Sequence, residues 1–152
     1  IYYWLGCAFA ELGDKTSARQ HWLAAARFTG DFQEMSVRAF SELTYYSARA
    51  REKLGQRPKA QQLFRDLLAY ARKLQKTEAR IDYFATSLPT MLIFDDDLQS
   101  RQETTALFLQ AQAQVGLGQR AKARALLKSV LKRDPNHALA ADFAAAQTDP
   151  TP

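Results

Sequence analysis

The chain has 152 residues, 47% of them apolar, with 21 basic and 16 acidic side chains for a formal net charge of +5. That is enough apolar material for one domain or a short array, and a charge bias too mild by itself to name a nucleic-acid partner. Two histidines and a single cysteine, Cys7, exclude a disulfide framework and a metal-ligand set, and no apolar run approaches the roughly 20 residues that cross a bilayer.

Glycine and proline are scarce, so helix is expected nearly throughout. Leu5, Cys7, Ala8 and Leu12 give a first helix its apolar face, and Gly13 ends it in a left-handed cap. A second helix starts near Asp14, with Ala18, Trp22 and Ala25 on one side, and Gly30-Asp31 closes this hairpin, 1–29. A longer helix is expected from about Phe32 to Leu54. Pro58 opens the next, through Ala60, Phe64, Leu67 and Leu68 toward Leu74, which makes a second hairpin of 32–76. Segment 77–97 departs from the pattern. Ala79 to Ala85 reads as helix, Ser87-Leu88-Pro89 breaks it, Met91-Leu92-Ile93-Phe94 is an apolar run, and Asp95-Asp96-Asp97 opens another helix. The acidic run is expected to cap that helix rather than bind a cation, with Asp96 and Gln99 as a capping box. The third hairpin, 98–133, contains Leu107 to Val115, the Gly116-Leu117-Gly118 turn and Ala121 to Leu131; Asp134-Pro135-Asn136 stops it. A capping helix follows over 137–146, and 148–152 is a frayed tail.

One phrase recurs three times. Leu12-Gly13-Asp14-Lys15, Leu54-Gly55-Gln56-Arg57 and Leu117-Gly118-Gln119-Arg120 are each followed by an alanine (Ala18, Ala60, Ala123). A large apolar residue comes four positions later (Trp22, Phe64, Leu127) and another apolar one three beyond it (Ala25, Leu67, Val130). Repetition on this scale implies a solenoid, because one hairpin cannot bury its own apolar face and must stack on a neighbour. Leu5-Gly6, Phe9, the Gly13 turn, Ala18, Trp22 and Ala25 make the first unit resemble a tetratricopeptide repeat. The third unit shares the turn glycine, Ala123, Leu127, Val130 and the closing Asp134-Pro135-Asn136, but has Gln110-Ala111 in place of Leu-Gly. The second keeps Gly55, Ala60, Phe64 and Leu67, has Ser47-Ala48 at that place and lacks the closing proline.

The resemblance implies an all-α fold: a right-handed solenoid of three hairpins with an irregular insert and a C-terminal capping helix. It also implies a non-catalytic scaffold for protein–protein interaction, without a cofactor. More distantly, Asp82-Tyr83-Phe84 through Pro89 and Phe94 looks like the C-terminal repeat region of bacterial multidomain proteins with an upstream β-sandwich domain. A chain that opens at Ile1-Tyr2-Tyr3-Trp4, inside a repeat and without a leader, is expected to be a fragment of such a protein, cytoplasmic, with any chemistry upstream.

In arrays of this family the first helix of each hairpin lines the concave face, which places Tyr3, Tyr45, Tyr46, Arg49, Lys53, Phe108 and Gln112 on or near a groove. Tyrosine and arginine suit such a surface because they bury area and still offer a hydrogen bond or a charge. Taken singly, Tyr45 and Phe108 are expected rather to pack between neighbouring helices, and only as a set do these residues read as an aromatic and basic groove. The expected partner is a protein or peptide, or the chain's own upstream domain. A clamp that grips a C-terminal carboxylate with asparagines and lysines is not expected, since the one asparagine, Asn136, sits in a closing turn. A second candidate interface is the insert, through Tyr83, Phe84, Met91 and Phe94; with the aromatic start it makes homodimerisation an alternative. Arg120, Arg124, Lys128 and Lys132 form a basic stripe opposite an apolar helix face, an alternative site for RNA. No aromatics interleave with that stripe to stack bases, so a solvated outer face is the first expectation there. His21 and His137 lie in different repeats with no nucleophile at recognisable spacing, and Cys7 sits among apolar residues as an inert thiol. No catalytic or metal site is expected.

Overall fold

A computed structural model describes residues 1–28, 31–33, 36–79 and 97–148. Three glycines set its rhythm. Gly13, Gly55 and Gly118 take φ values of +80°, +76° and +76°, a left-handed conformation that residues with a Cβ avoid. At each, the glycine N–H donates to the carbonyl three residues back, and the next N–H donates to the carbonyl five back, all at 2.8–3.0 Å. This double closure satisfies carbonyls that a helix end leaves unpaired. The turns join α1 (Tyr2–Glu11) to α2 (Lys15–Ala26), α3 (Glu42–Lys53) to α4 (Arg57–Lys76), and α5 (Leu98–Gly116) to α6 (Arg120–Arg133). A last helix, α7 (Ala138–Thr148), follows.

The starts of α2, α5 and α7 are capped by side chains. Asp14 accepts from the Ser17 N–H at 3.0 Å, Asp97 from the Ser100 N–H at 2.9 Å, and His137 Nδ1 from the Ala140 N–H at 3.1 Å. Two expectations are corrected here. The helix foreseen from Phe32 begins only at Glu42, where Ser41 and Thr44 form a capping box. Before it, β1 (Asp31–Gln33) and β2 (Ser36–Arg38) pair antiparallel, with Phe32 opposite Val37. The N-cap of α5 is Asp97, one residue later than the Asp96 foreseen. Gln99 accepts from the Ala79 N–H at 2.8 Å and donates to Glu103 at 3.0 Å. Asp95 and Asp96 lie outside the described residues, and α5 runs unbroken from Leu98 through the place where a helix from Leu107 was foreseen.

Each helix packs on its neighbours in sequence, and α3 also meets α1 and α5. That nearest-neighbour pattern is an α-solenoid. At its centre Ala48 of α3, Ala60 and Phe64 of α4, Ala111 of α5, Leu127 and Val130 of α6 and Phe143 of α7 share one core. Small residues set the helix spacing: a Cβ on Gly6 would run into the Trp22 ring, and one on Gly116 into the Phe64 ring. Glutamines then tie α5 to α4. Gln102 Nε2 donates to the carbonyls of Leu74 and Thr77 at 3.1 and 2.6 Å, and Gln61 Nε2 donates to the Gly116 carbonyl at 3.1 Å. Arg51 does the same for the first junction, donating to the Ala26 carbonyl at the end of α2 at 2.8 Å.

Candidate partner-binding groove

Tyr3, Tyr45 and Phe108 each precede their turn glycine by ten residues, so they hold equivalent positions on α1, α3 and α5. Cys7, Arg49 and Gln112 do so at six residues. The two halves of this row have different fates.

On the α1–α3 side the row reaches solvent only in part, through Cys7 and Arg49, because Tyr3, expected on an open groove, is buried. The Tyr3 ring lies 5.2 Å from Trp4 and 5.6 Å from Tyr46, and its hydroxyl is hydrogen-bonded to Arg49. Arg49 also pairs with Glu52 at 2.8 Å, and the exposed Lys53 holds its ammonium 5.8 Å from the Trp22 ring centre. Arg49, Glu52, Lys53, Arg57 and Gln61 line a polar recess of about 430 Å³. One turn back along α3, Leu43, Tyr46 and Ser47 join Tyr2, Trp4 and Phe28 around an apolar pocket of about 340 Å³. Trp4 is 60% exposed there, and the Ser47 hydroxyl has no hydrogen-bond partner among the described residues.

On the α5 side the row is covered. Tyr45, Phe108 and Gln112 are buried, which corrects the expectation that they line an open groove. The cause is α7, whose Phe143 stands edge-on to Tyr45 at 5.0 Å and to Phe108 at 5.9 Å. His137, the residue that caps α7, lies 4.9 Å from the Phe108 ring. Gln112 Nε2 donates to the Glu42 carbonyl at 3.3 Å, a bridge from α5 to α3. These three side chains hold helices together.

Electrostatics follow the same division. Burial pushes the Tyr45 hydroxyl up to about 12, with the Arg49 charge acting weakly against it. Tyr3 and Tyr46 are raised too, each by burial first. Burial works against the Arg49 charge, but Tyr45, the hydrogen bond to Tyr3 and Glu52 outweigh it and raise its pKa. A charge is thus held in place at the rim of an aromatic cluster.

Of the remaining candidates, those described lie apart from this site. Tyr83, Phe84, Met91 and Phe94 lie outside the described residues. Arg120, Arg124, Lys128 and Lys132 are all exposed on α6, away from its buried Ala123, Leu127 and Val130. His21 stacks on Phe9 at 5.1 Å, and Cys7 is a half-buried free thiol. Among the described residues no three His, Cys, Asp or Glu side chains converge as metal ligands, and no helix is long and apolar enough to cross a membrane. Sequence reasoning missed the apolar pocket and Phe143. The signal for the first is that α1 carries one charge, Glu11, with apolar residues on every side; for the second, a lone aromatic in an alanine-rich helix.

A family model described as tetratricopeptide repeat matches residues 42–73 and 105–137, which cover α3 with most of α4, and most of α5 with α6. No solved structure gives a significant match.

Proposed function

The chain is a tetratricopeptide repeat protein, and on that premise we propose that it is a non-catalytic scaffold that takes up a peptide segment on the α1–α3 side of its groove. The segment belongs to another protein or to a further domain of the same parent chain. Tetratricopeptide repeats generally mediate protein–protein interaction and are typically non-catalytic. The observation that carries the proposal is the pairing of two unlike surfaces along one helix. The pocket of Trp4, Leu43 and Tyr46 suits an apolar anchor, since rigid aromatics lose little entropy when a partner covers them. Arg49, Lys53 and Arg57, facing a single acid, Glu52, suit a carboxylate on the same segment. The free thiol of Cys7 suits a reducing, cytoplasmic setting.

Selection from a displayed random-peptide library tests this. Enriched peptides should pair an aromatic or aliphatic residue with an acidic one. Trp4→Ala and Arg49→Gln should each abolish their capture while circular dichroism stays unchanged. Equal capture by both variants would remove the groove from the account. The exposed Trp4 and Leu5 on α1, with Leu12 at its C-cap, also support a homodimer as a second reading. Light scattering that returns a 17.2 kDa particle at micromolar concentration would end it.

A further inference from the structure

The charge of this chain is not spread evenly. α4 and α6 each carry six basic residues, and between them they hold one acid, Asp66. Those two helices are +11 against +5 for the whole chain, so the remainder is acidic on balance. Their apolar faces meet in a common core through Ala60, Phe64, Leu127 and Val130. The opposite faces turn to solvent, with Lys59, Arg65, Arg72, Lys73 and Lys76 exposed on α4. On α6 Lys122, Arg124, Lys128 and Lys132 are exposed.

Helix stability does not account for this arrangement. Lys73, Lys76, Lys132 and Arg133 sit in last turns, where a cation complements the dipole. Arg57, Lys59, Arg120 and Lys122 sit in or beside first turns that contain no acid, where a cation opposes it. Arg120, Arg124, Lys128 and Lys132 succeed one another at four-residue spacing, so that like charges are neighbours on one face. Among the described residues ion pairing relieves little of this: Arg133 pairs with Glu103, and Arg65 donates to the Gln62 amide oxygen.

We propose that the solvent faces of α4 and α6 bind the sugar–phosphate backbone of a duplex nucleic acid. α6 taken alone is an ordinary solvated stripe; what changes its meaning is the second helix of the same charge on the same core. The chemistry of the faces selects among polyanions. A protein interface needs an apolar centre, and neither helix contributes a residue to the large apolar side chains exposed on this structure. The same absence removes the wedge that seats an amphipathic helix in a bilayer and the aromatic platforms that stack single-stranded bases. A duplex backbone needs neither, because lysines and arginines bind it by releasing counterions. This surface is separate from the groove and does not depend on it.

The test is a fluorescence-anisotropy titration of the full chain against a labelled duplex of mixed sequence over a range of salt. Binding should appear at low salt and weaken at least about a hundredfold between about 50 and about 200 mM. One variant carries Lys122→Gln, Arg124→Gln, Lys128→Gln and Lys132→Gln, another Arg65→Gln, Arg72→Gln, Lys73→Gln and Lys76→Gln. All eight residues are exposed, so both variants should keep their circular dichroism, and each should lose at least tenfold in affinity. Trp4→Ala should bind the duplex as the parent chain does, whatever becomes of the groove. No binding at low salt, a flat salt response, or full affinity in either glutamine variant overturns the proposal. So does tighter binding to the separated single strand or to phosphatidylserine vesicles than to the duplex.

Discussion

Gly116 and Gly118 stand two residues apart and are glycines for different reasons. At Gly118 the constraint is the backbone: φ is +76° and nothing lies within 4 Å of where a Cβ would be. Alanine there should cost about 1 kcal/mol through conformation alone. At Gly116 the constraint is a neighbour, the fully buried ring of Phe64. Alanine improves helix propensity by somewhat under 1 kcal/mol but overpacks the core by about 1–3 kcal/mol, so a net loss is expected. Urea denaturation of a double-mutant cycle separates the two. Phe64→Leu should recover much of the Gly116→Ala loss and none of the Gly118→Ala loss; equal coupling at both sites would show the contact to be incidental. Tyr45 supports a second prediction. Its hydroxyl titrates near 12 in the fold, against about 10 in the unfolded chain. Between those values the folded state holds a proton that the unfolded state has lost, so stability is complete below pH 10 and falls as pH rises toward 12. The loss should be on the order of 3 kcal/mol, and Tyr45→Phe should flatten that part of the profile in chemical denaturation at pH 9–12.

Among the elements α7 has the greatest leverage for its size. It packs chiefly on α6, yet Phe143 reaches the rings of Tyr45 and Phe108 on two other helices. Phe143→Ala should cost about 3 kcal/mol. In a nearest-neighbour array that cost is local. Hydrogen exchange should speed up in α7 and in the adjoining parts of α5 and α6, while α1 and α2 keep their protection; uniform loss of protection would mean that the array unfolds as one unit. The helices themselves were legible in the sequence wherever local chemistry decides them. Three turn glycines, Pro58 and the Asp134-Pro135-Asn136 stop mark ends that the structure reproduces. The start of α3 was not legible from apolar spacing, because Ser41 and Thr44 make their cap with neutral hydroxyls inside a segment free of glycine and proline. The covering of Tyr45 and Phe108 was not legible either. It depends on where α7 folds back, a contact across almost one hundred residues from Tyr45 to Phe143 that no local spacing encodes.

For the whole molecule, packing and charge act in opposite senses. The solenoid lets each hairpin bury its apolar face on the next, so α4 and α6 are held to one core. Twelve cations are thereby drawn toward each other with one acid among them. Repulsion between exposed charges is screened over about 8 Å at physiological ionic strength and over about 30 Å at 0.01 M. This fold should therefore gain stability from salt, whereas one stabilised by surface ion pairs would lose it. The thermal midpoint should rise as sodium chloride is raised from about 0.01 M to about 0.5 M. The glutamine variant of α6 should melt above the parent chain at the low end, since glutamine keeps the helix propensity of lysine and arginine and removes the repulsion. At the high end the two midpoints should converge. A parent chain whose melting is indifferent to salt, or a variant that melts lower throughout, would mean that these cations stabilise the array, and the physical cost that marks them as functional would be absent.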